Sequence, residues 1–111
     1  MREERIPCVY ILASGRYGTL YVGVTSNLVG RLWQHRNNAL PGFTARHHVH
    51  RLVHYEFFGE MEPAIMREKQ LKRWHRQWKI NLINESNPHW ADLAAGLGLP
   101  PLAPRERRNG P

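Results

Sequence analysis

The apolar residues of this chain fall in runs whose period changes along its length. Pro7 to Ala13 (PCVYILA) is a β-branched and aromatic run, Ser14 to Gly18 holds two glycines, and Thr19 to Val24 (TLYVGV) is strand-like again, which predicts a β-hairpin. From Leu28 the period lengthens. Leu28, Leu32 and His35 stand at i, i+4 and i+7, and Ser26 or Asn27 can cap a helix running to about Asn38, before Pro41-Gly42 breaks the chain. Arg51 to Phe58 (RLVHYEFF) reads as a third strand ended by Gly59. Pro63 suits the first position of a helix reaching roughly Trp74, a second helical stretch covers Arg76 to Asn84, and His89 to Ala95 predicts a last short helix. Trp74, Trp78 and Leu82, spaced by four, read as the core stripe of the final helices.

The order is ββαβαα: one small α/β (α+β) domain over residues 1–95, a three-stranded, mainly antiparallel sheet flanked by helices. Gly96 to Pro111 has four of the eight prolines, three glycines and an arginine cluster, and is expected to be a disordered tail.

Charge narrows the chemistry. Sixteen Lys and Arg against nine Asp and Glu give a formal charge of +7 over 111 residues, so a polyanion is the first partner to consider. Thirteen of those cations are arginines, whose planar fork matches phosphate. From Arg5 through Tyr55 there is no acid at all, and Met61 to Ile80 carries six cations against Glu62 and Glu68. Arg36 and Arg46 in the first region, and Lys69, Lys72 and Arg73 in the second, are the candidate nucleic-acid contacts. The single cysteine, Cys8, excludes an internal disulfide framework and a CxxC zinc site and fits a reducing compartment. No apolar stretch approaches the ~20 residues that span a bilayer, and the amino terminus lacks a secretory core, so a cytoplasmic protein with no membrane partner is expected.

A few residues fit neither core nor surface. Arg31 shares the stripe of Leu28 and Leu32, so Arg31 and His35 border the face that packs on the sheet; an arginine snorkelling from the core edge and a hydrogen-bonded histidine would account for them. Glu68, three after Ile65 and three before Leu71, points along the apolar stripe of its helix. Lys72 at i+4 is one partner for it, and a divalent metal is the other. Tyr10 and Tyr21, one per hairpin strand, read as a cross-strand aromatic pair. What weighs against each of these plain readings is their coincidence on one side of a small sheet, inside the most basic part of the molecule. His47, His48, His50 and His54 suggest a metal site less than a polar sheet face, on which His48, His50 and His54 would share one parity in a continuous strand. Base stacking by an exposed Trp33 or Trp90 is a further option without support in the pattern.

In these residues the sequence resembles the GIY-YIG nuclease family, closest to its small bacterial members. The triplets read Cys8-Val9-Tyr10 and Tyr21-Val22-Gly23 with the family's spacing, Arg31 falls ten residues after the second tyrosine, and Glu68 falls in the helix after the third strand. Cys8 stands where the first triplet has glycine, Gly30 weakens the first helix, and Asn81, Asn84 and Asn87 all compete for the asparagine some members carry after the glutamate.

The resemblance implies a metal-dependent endonuclease hydrolysing DNA phosphodiester bonds, of a kind serving repair or recombination. Tyr10, Tyr21, Arg31, His35 and Glu68 would be its catalytic residues, with one Mg²⁺ or Mn²⁺ on Glu68. In that scheme Tyr10 helps deprotonate water, Arg31 neutralises developing charge, Tyr21 bonds a phosphate oxygen, and His35 assists as base or binds phosphate. DNA, duplex or branched, is the expected partner, and cutting both strands would call for a homodimer or a partner protein. The alternative is a non-catalytic nucleic-acid-binding module on the same fold.

Overall fold

Strand β1, Cys8–Ala13, is buried along its whole length. It is the middle strand of a three-stranded sheet of order β2-β1-β3, antiparallel to β2, Leu20–Thr25, on one side and to β3, Arg51–Phe57, on the other. A strand covered on both faces needs a continuous apolar run, which is why Cys8–Ala13 shows no polar alternation. The structure, a computed structural model, describes residues 5–37 and 42–99.

The helices share the two faces. Helix α1, Leu28–Arg36, lays Leu28 and Leu32 with Cys8, Tyr10 and Leu12 on one face, and α3, Met61–Arg73, with α4, Arg76–Ser86, covers Val9, Ile11 and Ala13 on the other. Asn27 caps α1, its Oδ1 accepting from Gly30 N at 3.1 Å. A Cβ on Gly30 would come within 2.6 Å of that Asn27 side chain, so the glycine that weakens the helix makes room for its cap.

Several boundaries differ from the sequence reading, each for a local reason. Helix α3 starts at Met61, so Pro63 is its third residue, where its missing N–H is still one of the unpaired ones. A one-turn helix, α2 (Phe43–His47), adds to the order ββαβαα between α1 and β3. The last helical segment is a 3₁₀ turn at Leu93–Leu97, not His89 to Ala95, because Asp92 caps it by accepting from Ala94 N. Past Ala95, Leu97 and Leu99 pack on the cluster around Leu28 and Leu52. The predicted tail beyond Leu99 and the helix end at Asn38 lie outside the described residues.

Polar ties fix the C-terminal segment. Asp92 accepts from Leu52 N and pairs with Arg36 at 2.5 Å, while Asn87 donates to Val53 O and Ala91 O. Trp90 is fully buried, its indole N–H donating to Asn84 Oδ1, so it has no face for a base. Trp78, by contrast, leaves the predicted core stripe and is 52% exposed. A bulge on β3 opposite Ile11/Leu12 brings His54 and Glu56 to the α3 face; Glu56 accepts from His54 and twice from Arg67, and these bonds hold its carboxyl down at about 2.

Candidate active site

The hairpin register builds the site. Tyr10 lies opposite Gly23 across the β1–β2 ladder, and a Cβ at position 23 would stand 2.5 Å from both Cζ and Oη of Tyr10. The glycine of the second triplet is therefore the seat of the first triplet's tyrosine. The Tyr10 ring lies 6.3 Å, centroid to centroid, from Tyr21 and 5.9 Å from His35, and Tyr21 lies 5.6 Å from His35. Two strands and one helix thus place three rings in mutual contact on the α1 face, with the Arg31 charge close enough to act on the Tyr10 hydroxyl and on His35.

A buried hydrogen-bonded chain runs through them. Tyr10 Oη is 3.1 Å from His35 Nε2, and His35 Nδ1 is 3.0 Å from Thr44 Oγ1. Burial, with Arg31 and His50 nearby, lowers His35 from its usual 6.5 to about 4, so the imidazole is neutral at pH 7. Burial and the neighbouring Tyr21 raise the Tyr10 phenol against the opposing pull of Arg31. With a neutral imidazole and a protonated phenol, Tyr10 O–H donates to Nε2 and Nδ1–H donates to Thr44. Tyr10 has no exposed surface and keeps its proton, so the role of base expected for it does not fit this geometry.

Sequence reading missed Thr44. It sits on the one-turn α2, too short to leave a periodic signal, and only the fold carries it to His35. The same turn sends Phe43 over Tyr21, with ring centroids 6.4 Å apart. Tyr21 is half-buried, and among the described residues its hydroxyl has no hydrogen-bond partner.

Arg31 faces a polar cleft of about 360 Å³, lined also by Arg5, Ser26, Asn27 and Gln34. Among the described residues it pairs with no carboxylate, leaving its guanidinium charge for an anion. Glu68 lies on α3, which contributes Ala64 and Leu71 to the core on the other face of the sheet, and Lys72 Nζ lies 2.6 Å from its Oε2. The partner anticipated at i+4 is thus in place.

Other candidates separate. The side chain of Arg36 is only 9% exposed and bound to Asp92, so it is a structural pair and not a phosphate contact. Arg46, Lys69 and Arg73 are exposed, and Lys72 is exposed with Glu68 as its partner. Asn84 and Asn87 are taken up in scaffolding bonds, and Asn81 accepts from Gln77. The His48 and His50 rings lie 6.5 Å apart, but His54 follows the bulge and pairs with Glu56, so the three do not share one face; among the described residues no group of three or more His, Cys, Asp or Glu could hold a metal. Cys8, where the first triplet has glycine, is fully buried, and burial pushes its thiol up to about 12.

The low pKa of His35 has a measurable consequence. Unfolded, His35 takes a proton near 6.5; folded, it resists until about 4, so acid favours the unfolded chain between those values. Stability should be full above pH 6.5 and fall by on the order of 3 kcal/mol toward pH 4 from this group. Glu56 adds a further loss from about 4.5 down to 2. Urea unfolding of His35→Gln should show a flatter limb between pH 6.5 and 4.5 than the wild type; parallel limbs would remove His35 as the cause.

Taken together, the fold is a three-stranded α+β domain that gathers Tyr10, Tyr21, Arg31 and His35 on one face of its sheet. Residues 6–81 match the GIY-YIG catalytic domain, and the chain belongs to that family. Its relatives include a UPF0213 protein of Clostridium perfringens, 34% identical over 79 residues that cover 71% of this chain and 84% of the relative. Others are a UPF0213 protein of Syntrophus aciditrophicus, 33% identical over 70% of this chain and 90% of the relative, and one of Staphylococcus saprophyticus, 32% identical over 61% and 83%. No solved structure matches the chain. Among the described residues no helix is long and apolar enough to cross a membrane.

Proposed function

We propose that this protein is a divalent-metal-dependent endonuclease that hydrolyses DNA phosphodiester bonds. The observation that carries the reading is Arg31: a guanidinium without a carboxylate partner among the described residues, lining a polar cleft and close enough to the Tyr10–His35–Thr44 chain to act on both Tyr10 and His35 electrostatically. Arg31 binds the scissile phosphate and neutralises the charge that develops on its oxygens. Tyr21 donates its unpartnered hydroxyl to a phosphate oxygen. Tyr10 and His35 orient Arg31 and Tyr21 from beneath, and Thr44 fixes the His35 tautomer.

Glu68 fits a divalent cation in its donor chemistry. It is a carboxylate only 13% exposed, of the kind that holds Mg²⁺ with water and phosphate oxygens completing the shell, and its Lys72 partner is 52% exposed and readily displaced. A divalent ion held there supplies Lewis-acid polarisation of a phosphoryl oxygen and a bound water of lowered pKa.

The test is metal dependence of the wild type on supercoiled plasmid and branched DNA. Nicking is expected with Mg²⁺ or Mn²⁺ and none with EDTA. DNA affinity should fall with salt by about one unit of log–log slope per phosphate contacted. Binding without nicking under either metal would leave a nucleic-acid-binding module on this fold, and no binding would overturn the DNA reading.

A further inference from the structure

Away from the Tyr10 cluster, the chain turns sharply between α3 and α4. Trp74 ends α3 with an extended backbone, His75 precedes α4, and Arg76 binds the carbonyls of Tyr17 and Gly18 at 2.7 and 2.9 Å, pinning this elbow to the hairpin turn. The Trp78 ring stands nearly perpendicular to its neighbours, 5.8 Å from Trp74 and 5.2 Å from His75, with interplanar angles of 85° in both cases. At 52% exposure it is held in place on its edges and open to solvent.

Beside it lies a cleft of about 210 Å³, lined by Trp74, Trp78, Asn81, Leu82 and Glu85. The lining follows from helical spacing: Trp78, Asn81, Leu82 and Glu85 share one stripe of α4. An aromatic wall with an amide and a carboxylate further along can stack a flat heterocycle and accept from its amino group. The surrounding charge selects the molecule that carries such a ring. Arg73 and Lys79, each one residue along the chain from a tryptophan of the wall, have no carboxylate partner among the described residues.

We infer that this elbow is a second nucleic-acid contact, which takes one unpaired nucleobase against Trp78 while Arg73 and Lys79 hold the flanking phosphates. A base inside a duplex offers only its edge, so the contact favours DNA with an unstacked or single-stranded segment. The inference rests on the DNA reading above and narrows its substrate class. Trp33, 55% exposed on α1, has no ring neighbour among the described residues and lines none of the clefts described, and it serves as the control.

The experiment is fluorescence anisotropy with a labelled single-stranded oligonucleotide and the matching duplex, using the full chain in EDTA. Trp78→Ala should weaken single-strand binding roughly 5- to 100-fold. It should change duplex binding less than about twofold and leave the salt slope unchanged, because stacking releases no counterions. Trp78→Phe should retain most of the affinity, and Trp33→Ala should match the wild type. Arg73→Gln should lower the single-strand salt slope by about 0.7. Equal binding of single strand and duplex by wild type and Trp78→Ala overturns this inference and leaves the DNA reading intact. A wild type that binds neither form overturns both. A loss of self-association in Trp78→Ala, read by sedimentation with DNA affinity unchanged, would make the elbow a protein contact and also overturn the inference. Melting temperatures of the variants control for folding.

Discussion

Arg31→Ala is expected to slow plasmid nicking by about 10²- to 10³-fold, the usual cost of removing one preorganised charge from a phosphoryl or oxyanion site. The fold should survive, since Arg31 is half-buried at the mouth of a polar cleft and Tyr10 keeps its hydrogen bond to His35 without it. DNA binding should fall far less than the rate, because Arg31 is one cation among sixteen and its advantage is realised as charge builds on the phosphate. Glu68→Ala should reproduce the EDTA result at little cost in stability, its pair with the exposed Lys72 being worth about 0–1 kcal/mol. The measurements are nicking rate against metal concentration, anisotropy for DNA affinity, and thermal melts for folding. Undiminished nicking by either variant would remove that residue from the machinery.

Gly23→Ala tests the architecture beneath that chemistry. The new methyl would sit 2.5 Å from Tyr10 Cζ and Oη, closer than any carbon contact allows. Tyr10 cannot yield cheaply, for it has no exposed surface and its ring is flanked by Tyr21 and His35. Overpacking of this kind costs about 1–3 kcal/mol, or roughly 5–15 °C in melting temperature for a domain of this size. Activity should fall further than stability, because a displaced Tyr10 loses the 3.1 Å bond to His35 and its contact with Arg31. The double variant Gly23→Ala/Tyr10→Leu should be more stable than the sum of its two single changes predicts, since removing the ring frees the space the methyl needs. Strict additivity, or a Gly23→Ala protein with wild-type melting and nicking, would show that the ring does not lie where the register places it.

Much of this fold was legible in period and punctuation. The hairpin, the helix from Leu28, the third strand and the two later helices followed from apolar spacing and from Asn27, Gly59 and Pro63, because each is a local preference expressed within about ten residues. Helix α2 was not legible: five residues cannot show a helical period, and it carries Thr44, the partner of His35. Trp78 misled for the converse reason. Its spacing from Trp74 and Leu82 is right for a core stripe, but the break at Trp74–His75 turns α4 so that this position faces water. Arg36 read as a phosphate contact because nothing local marks Asp92, 56 residues later, as its partner.

By itself, then, the sequence determined the order of the longer elements and the basic character, since these rest on composition and on spacings within single elements, whereas Tyr10, Tyr21, Arg31, His35 and Glu68 were singled out together by the resemblance to a family. The tertiary structure alone decided which of them touch. Strand register seats Tyr10 over Gly23, and helix packing joins it to His35, Thr44 and Arg31 while leaving Glu68 with Lys72 on another helix. The reason is that a contact between distant residues, and the burial that holds Tyr10 protonated and His35 neutral, belong to no segment of the chain and arise only when the segments pack.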